Sequence, residues 1–140
     1  MKILIINGPN INMIGKREPE IYGKRNYREL VKFCRSCASE NNVKIKIYQT
    51  NSEGKIITAI QKAANRYDAI IINPAGYTHT SIAIPDALKA AGLPAVEVHL
   101  SDIFSREEYR RRSYVSEYAE KTICGKGFEG YKEAIEYLCK

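Results

Sequence analysis

Short apolar runs of strand length recur along this chain with amphipathic stretches of helical length between them, and this alternation limits the fold more than any other feature. The runs predict strands at 2–6, 43–48, 69–72, 95–100 and 121–124, and the stretches predict helices near 27–40, 54–66, 82–91, 106–112 and 131–138. Regular β/α alternation implies a parallel sheet with helices on both faces and right-handed crossovers. Five such strands in 140 residues fit an α/β, doubly wound, flavodoxin-like sheet in the order 2-1-3-4-5, with one domain covering 1–140.

The formal charge of +6 is compatible with nucleic acid, an anionic membrane or a small acidic ligand, so its distribution has to choose among them. The first apolar run, Ile3-Leu4-Ile5-Ile6, ends at once in Asn7-Gly8-Pro9, which is a strand entering a turn and not a secretory signal. Nothing approaches the roughly 18 or more apolar residues of a membrane span, so a cytoplasmic protein without a membrane partner is expected. Cys34, Cys37, Cys124 and Cys139 are too few and scattered for a disulfide framework. The Cys34-x-x-Cys37 spacing falls inside a predicted helix, away from the N-terminus that would stabilise a thiolate, so it is expected to mark one buried face.

Ligands in such a sheet bind beyond the carboxyl ends of the strands, where strand order reverses. Three segments reach that rim. Asn7-Gly8-Pro9-Asn10 follows the first strand and leads into a loop at about 8–24, far longer than the usual 2–6 residues of a βα connection and so a candidate lid. Asn73-Pro74-Ala75-Gly76-Tyr77-Thr78-His79-Thr80-Ser81 ends the third strand, and Glu97-Val98-His99-Leu100-Ser101 ends the fourth. The chain has only two histidines, His79 and His99, and the topology places both at this rim rather than in the core. A zinc site is not expected, because the thiols lie elsewhere and no HExxH or paired CxxC is present.

These segments, with Arg17-Glu18-Pro19 and Tyr22-Gly23 on the loop, Arg106-Glu107-Glu108-Tyr109-Arg110 after the fourth strand and residues 125–131, resemble the successive signatures of the type II 3-dehydroquinate dehydratases. The resemblance spans nearly the whole chain. It implies loss of water from a hydroxylated carbocyclic keto acid, 3-dehydroquinate, giving 3-dehydroshikimate by anti elimination through an enolate, with no cofactor and no metal. Such chemistry needs a base for the α carbon, a group at the enolate oxygen and an acid for the departing hydroxyl.

The resemblance makes Tyr22 the base and His99 the acid. Ionising a phenol at pH 7 costs about 4 kcal/mol, which nearby cations reduce, and Arg17 and Arg110 are assigned that task. Asn10 resembles the residue that holds a water against the enolate oxygen, although Asn after Gly-Pro also suits a turn. Glu97, two residues before His99 on one strand face, would orient the imidazole. By the same resemblance Asn73, His79 and Arg110 contact substrate, the backbone N–H groups of Leu100 and Ser101 receive its carboxylate at a strand-to-helix turn, and Asp86 reaches a neighbouring subunit's site in trimers that form a dodecamer. A lysine-imine route belongs to a TIM barrel of roughly 250 residues, longer than this chain.

The match has departures. Pro85 precedes Asp86 where the family often has Arg, and Asp102 follows Ser101 where Asn is usual, adding negative charge near an anionic substrate. Gly125-x-Gly127-x-x-Gly130 fits the dinucleotide glycine pattern, but no room remains for the acidic residue about 20 positions on, so a tight turn is expected. A flavin-binding electron carrier fits the fold equally well, yet the loops lack a hydroxyl-rich phosphate cradle. Arg106, Arg110, Arg111 and Arg112 suggest a basic helix face for nucleic acid, but Glu107 and Glu108 interrupt it.

Overall fold

The structure, a computed structural model, describes residues 1–16 and 25–140. Among these the elements run β1 (Lys2–Asn7), α1 (Tyr27–Glu40), β2 (Lys44–Gln49), α2 (Glu53–Ala63), β3 (Ala69–Asn73), α3 (Ala83–Ala91), β4 (Ala95–His99), β5 (Lys121–Cys124) and α4 (Glu129–Leu138). All strand pairs are parallel and the order is β2-β1-β3-β4-β5, as the alternation predicted.

β1, from Ile3 on, and β3, at the centre of the sheet, are apolar on both sides up to their terminal Asn because both faces are covered. Ile3 and Ile5 of β1 pack in one cluster with Leu30 and Cys34 of α1 and Tyr131 and Ile135 of α4. Leu4 and Ile6, alternating with them, pack in the other with Ile56 and Ile60 of α2 and Ile84 and Leu88 of α3. Each residue of the strand is therefore spoken for, and a register slip of one would exchange the two cores.

Local signals set the helix ends. Asn26 accepts from the Glu29 N–H at 3.0 Å while the Glu29 carboxylate accepts from the Asn26 N–H at 3.4 Å, a complete capping box. Ser52 caps α2 by accepting from the Lys55 N–H at 3.2 Å. Gly92, at φ 71°, closes α3 in the left-handed conformation glycine tolerates best. Cys34 and Cys37 lie on the buried face of α1, and burial pushes the Cys34 thiol up to about 12, the reverse of what redox chemistry requires.

The helix predicted at 106–112 does not form. Its place is taken by short 3-10 turns at Ile103–Ser105, Glu108–Arg110 and Val115–Glu117. Glu107, at φ −56° and ψ 150°, breaks any helical run, and the Arg106 carbonyl accepts from Arg111 Nε at 2.9 Å. Arg106 and Arg110 would also face each other one helical turn apart with like charge. The segment instead lies over the sheet, with Val115 fully buried in the apolar cluster that includes α3.

The glycine pattern of 125–130 is a tight turn, as expected. The Gly125 and Gly127 N–H groups donate to the Ser101 and Leu100 carbonyls at 3.0 Å each, which ties the end of β5 to the end of β4 and leaves neither amide for a phosphate.

Gly8, just past the end of β1, lies tight against the end of β3. Its N–H donates to the Asn73 carbonyl at 2.8 Å, and a Cβ there would sit 2.6 Å from the Pro74 carbonyl oxygen, which is backbone and cannot swing aside. Gly8→Ala is expected to lower unfolding stability by about 1–3 kcal/mol, read as a shift in the denaturant midpoint at unchanged slope.

Candidate active site

β1, β3 and β4 end at one rim in Asn7, Asn73 and His99, and a cavity of about 280 Å³ opens there. Its wall includes Asn10, Asn73, His79, His99, Leu100, Ser101 and Arg110, so these sequence-derived candidates are brought together. Arg17 and Tyr22, with the second half of the proposed lid, lie outside the described residues. Asp86 does not line this cavity; it stands exposed in the first turn of α3.

His99 is 4% exposed, and its Nε2 bonds Glu97 Oε2 beneath it. Residues two apart on a strand share a face, which is why these side chains meet. Glu97 is wholly buried. Burial raises its carboxyl, but the His99 contact and the hydroxyls of Ser113 and Ser116 more than offset this and leave it below the ordinary carboxylate value. An ionised carboxylate only accepts, so Nε2 carries the proton and Nδ1 is the nitrogen left for a ligand.

His79 is fixed the opposite way. Its Nδ1 lies 2.7 Å from the Arg112 carbonyl oxygen, which can only accept, so Nδ1 donates and Nε2 remains. Burial, then the nearby His99, Arg110 and Arg106, hold its protonation below the ordinary histidine value, against the pull of that carbonyl.

Asn73 is held at both ends of its amide. Oδ1 accepts from the Ala75 N–H at 3.1 Å and Nδ2 donates to the Tyr131 hydroxyl at 3.0 Å, leaving one amide hydrogen for a ligand. Asn10 adopts the left-handed conformation at φ 69°, pinned by its N–H to Asn51 Oδ1 at 3.1 Å. Turn chemistry therefore holds for Asn10, while its side chain lines the cavity. Arg110 Nε lies 2.8 Å from Glu107 Oε2 without hydrogen-bond alignment, an ionic contact rather than a directed bond.

Two expectations about this rim change. Leu100 and Ser101 lead into a 3-10 turn, not a helix, so any carboxylate there would meet loop amides without a helix terminus behind them. Asp102 does not line the cavity; its side chain caps that turn, accepting from the Phe104 N–H at 3.0 Å. Sequence reasoning also left out Arg106, which lines the cavity with Arg110 but had been placed in a surface stripe. It missed Ser113, Ser116 and Thr122 around Glu97 and Tyr131 behind Asn73. Thr122 alone carried a signal, as a polar residue within a short apolar strand.

Comparison with known proteins covers nearly the whole chain. The model of the family described as dehydroquinase class II matches residues 1–139. The 3-dehydroquinate dehydratase of Clostridium acetobutylicum is 51% identical over 138 residues, covering 99% of this chain and 96% of that protein. The catabolic 3-dehydroquinase 1 of Fusarium vanettenii is 46% identical, covering 99% of this chain and 96% of that one. The crystal structure of the type II dehydroquinase from Butyrivibrio crossotus superposes with a TM-score of 0.98 at 44% identity, covering 100% of this chain and 98% of that one.

The protonation states of His79 and Glu97 imply a common pH dependence. Both resist protonation in the folded chain, so the unfolded chain binds more protons and stability rises with pH across their range. Stability is fully present above the ordinary histidine value of 6.5 and falls as pH drops below it; Glu97 adds a second loss as pH falls below the ordinary carboxyl value of 4.5. Thermal midpoints measured between these limits should decline toward acid, and His79→Gln should flatten the first part of that decline.

Proposed function

The chain belongs to the class II dehydroquinase family and is a type II 3-dehydroquinate dehydratase, and from that premise we propose how its rim residues divide the work of converting 3-dehydroquinate to 3-dehydroshikimate and water. Tyr22, as phenolate, removes a proton from the carbon α to the ketone, giving an enolate. His99, protonated on Nδ1, then gives that proton to the β-hydroxyl, which leaves as water. Return of the proton from the Tyr22 phenol to the neutral imidazole restores both groups, so the cycle needs proton transfers alone and no cofactor.

The observation that carries this reading is the His99 ring, set at the cavity wall by a buried ionised Glu97 through Nε2, which directs the other nitrogen to substrate. Arg17 and Arg110 favour the Tyr22 phenolate by charge. Asn10, whose backbone N–H is tied to Asn51 Oδ1, holds a water against the enolate oxygen with its side-chain amide. The remaining Asn73 hydrogen, His79 Nε2 and Arg110 take ring oxygens, while the Leu100 and Ser101 N–H groups take the carboxylate. Base on the loop at 8–24 and acid on the sheet approach opposite faces of the ring, which gives anti loss of water, and closure of that loop as a lid excludes solvent.

The whole chain acts as one catalytic domain in the cytoplasm, in trimers that assemble into a dodecamer. Supporting the assembly, Asp86 is turned from its own cavity and Ile82, one turn earlier, is 60% exposed, so this face of α3 is suited to a neighbouring subunit whose cavity Asp86 enters.

Continuous ultraviolet assay of the conjugated enone carboxylate tests the assignment. Tyr22→Phe and His99→Ala should each lower kcat by about 100-fold or more. Turnover near wild type in either variant removes that residue from its role.

A further inference from the structure

The Glu97 carboxylate is enclosed by more than its histidine. It lies in the middle of β4, opposite Ile72 of β3 and Thr122 of β5, with no exposed surface. Oε2 accepts from His99 Nε2 and from Ser113 Oγ at 2.6 Å. Oε1 accepts from Ser116 Oγ at 2.7 Å and is 3.2 Å from Thr122 Oγ1. Ser113 Oγ itself accepts from the Ser116 N–H at 3.2 Å, so its one proton has only Glu97 to meet. Ser116 and Thr122 Oγ atoms are 3.0 Å apart; Ser116 donates along its shorter contact to Glu97, and Thr122 supplies the remaining proton to either oxygen.

Sheet stability does not call for this arrangement. A buried charge with its partners is roughly neutral for stability against an apolar residue of like volume, so the benefit of the carboxylate must be sought elsewhere. Its effect here is geometric. With donors on both oxygens the carboxylate cannot rotate or exchange partners, and the only imidazole orientation that fits is the one with Nε2 held and Nδ1 available.

We propose that Ser113 and Ser116 are positioning residues for the dehydration, holding the Glu97 carboxylate in the one orientation that presents His99 Nδ1 to the departing hydroxyl. Neither serine lines the cavity. The inference rests on His99 being the acid, and loss of a shell partner of this kind typically lowers activity about 10- to 100-fold.

A double-mutant cycle tests it. Turnover of 3-dehydroquinate is measured for Ser113→Ala, Ser116→Ala and the pair together, each in the wild-type and the His99→Ala background, with thermal midpoints alongside. The paired variant is expected to lower kcat about 10- to 100-fold with KM changed less than about threefold, and each single variant about 3- to 10-fold. In the His99→Ala background the same changes should cost less than about twofold, because the ring they position is gone. Wild-type kcat in the serine variants overturns the proposal. So does an equal fold-loss in both backgrounds, which a merely structural role would produce. If His99→Ala itself turns over normally, the assignment of the acid fails instead; if His99→Ala is slow and the serine variants are not, only the positioning role fails. Should the paired variant not fold, the single ones carry the same comparison.

Discussion

A charged carboxylate in the middle of a buried strand is the constraint to which much of this molecule answers. Desolvation would drive Glu97 to its neutral form, and the chain counters with an imidazole N–H and hydroxyl protons on both oxygens. Two of those hydroxyls come from Ser113 and Ser116, just past the segment where the alternation called for a helix. A helix over 106–112 would present its side chains at a spacing of 3.6 and return along the sheet. What is observed is a series of 3-10 turns that brings two serines, three residues apart, over β4, the first accepting from the amide of the second. Local helix propensity yields here to a buried charge that has to be satisfied.

A second polar network fixes the opposite wall. Asn7 and Asn73 are neighbours in the β1/β3 register, and the Tyr131 hydroxyl joins them, donating to Asn7 Oδ1 at 2.6 Å and accepting from Asn73 Nδ2. Tyr131 is wholly buried on α4, so a core aromatic carries its polar tip through the apolar layer to the ends of two strands. From there Asn73 Oδ1 holds the amide of Ala75, a residue at φ 53°, in a conformation that alanine rarely adopts. Asn10 is likewise left-handed and tied to Asn51, which also accepts from Gln49 Nε2 at 3.2 Å. These two strained backbone positions line the cavity and are each secured by a side-chain amide, which keeps the wall in place without a ligand.

The sheet was legible in the sequence because parallel strands covered on both sides are nearly unbroken apolar runs, and the helices between them keep one periodic face. Cys34 and Cys37 could be assigned to that face by the same period. Glu97 and His99 were legible as a pair because a strand sends alternate residues to one side. Ser113 and Ser116 were not, since a loop has no period from which to infer direction, and serines between arginines and tyrosines look like any surface turn. Nor was the role of Tyr131, because nothing local shows where its hydroxyl ends. Arg106 was misplaced for a related reason: the stripe it belonged to existed only if 106–112 were a helix.

With that helix absent, the basic segment acquires a different meaning. Arg106 and Arg110 contribute to the cavity wall, and after burial it is His99 and then these two that lower the protonation of His79. Charges close enough to bias one imidazole are close enough to act on a ligand in the same cavity, and with opposite sign if the ligand is an anion. Glu107 engages Arg110, and Asp102 caps the turn after it, and neither is part of the cavity wall among the described residues. An excess of positive charge that could have signified nucleic acid is thus concentrated, in part, where a small carboxylate would enter. The part that neighbouring charges play in lowering the protonation of His79, beside the larger effect of burial, and the attraction of an anionic substrate follow from one local potential.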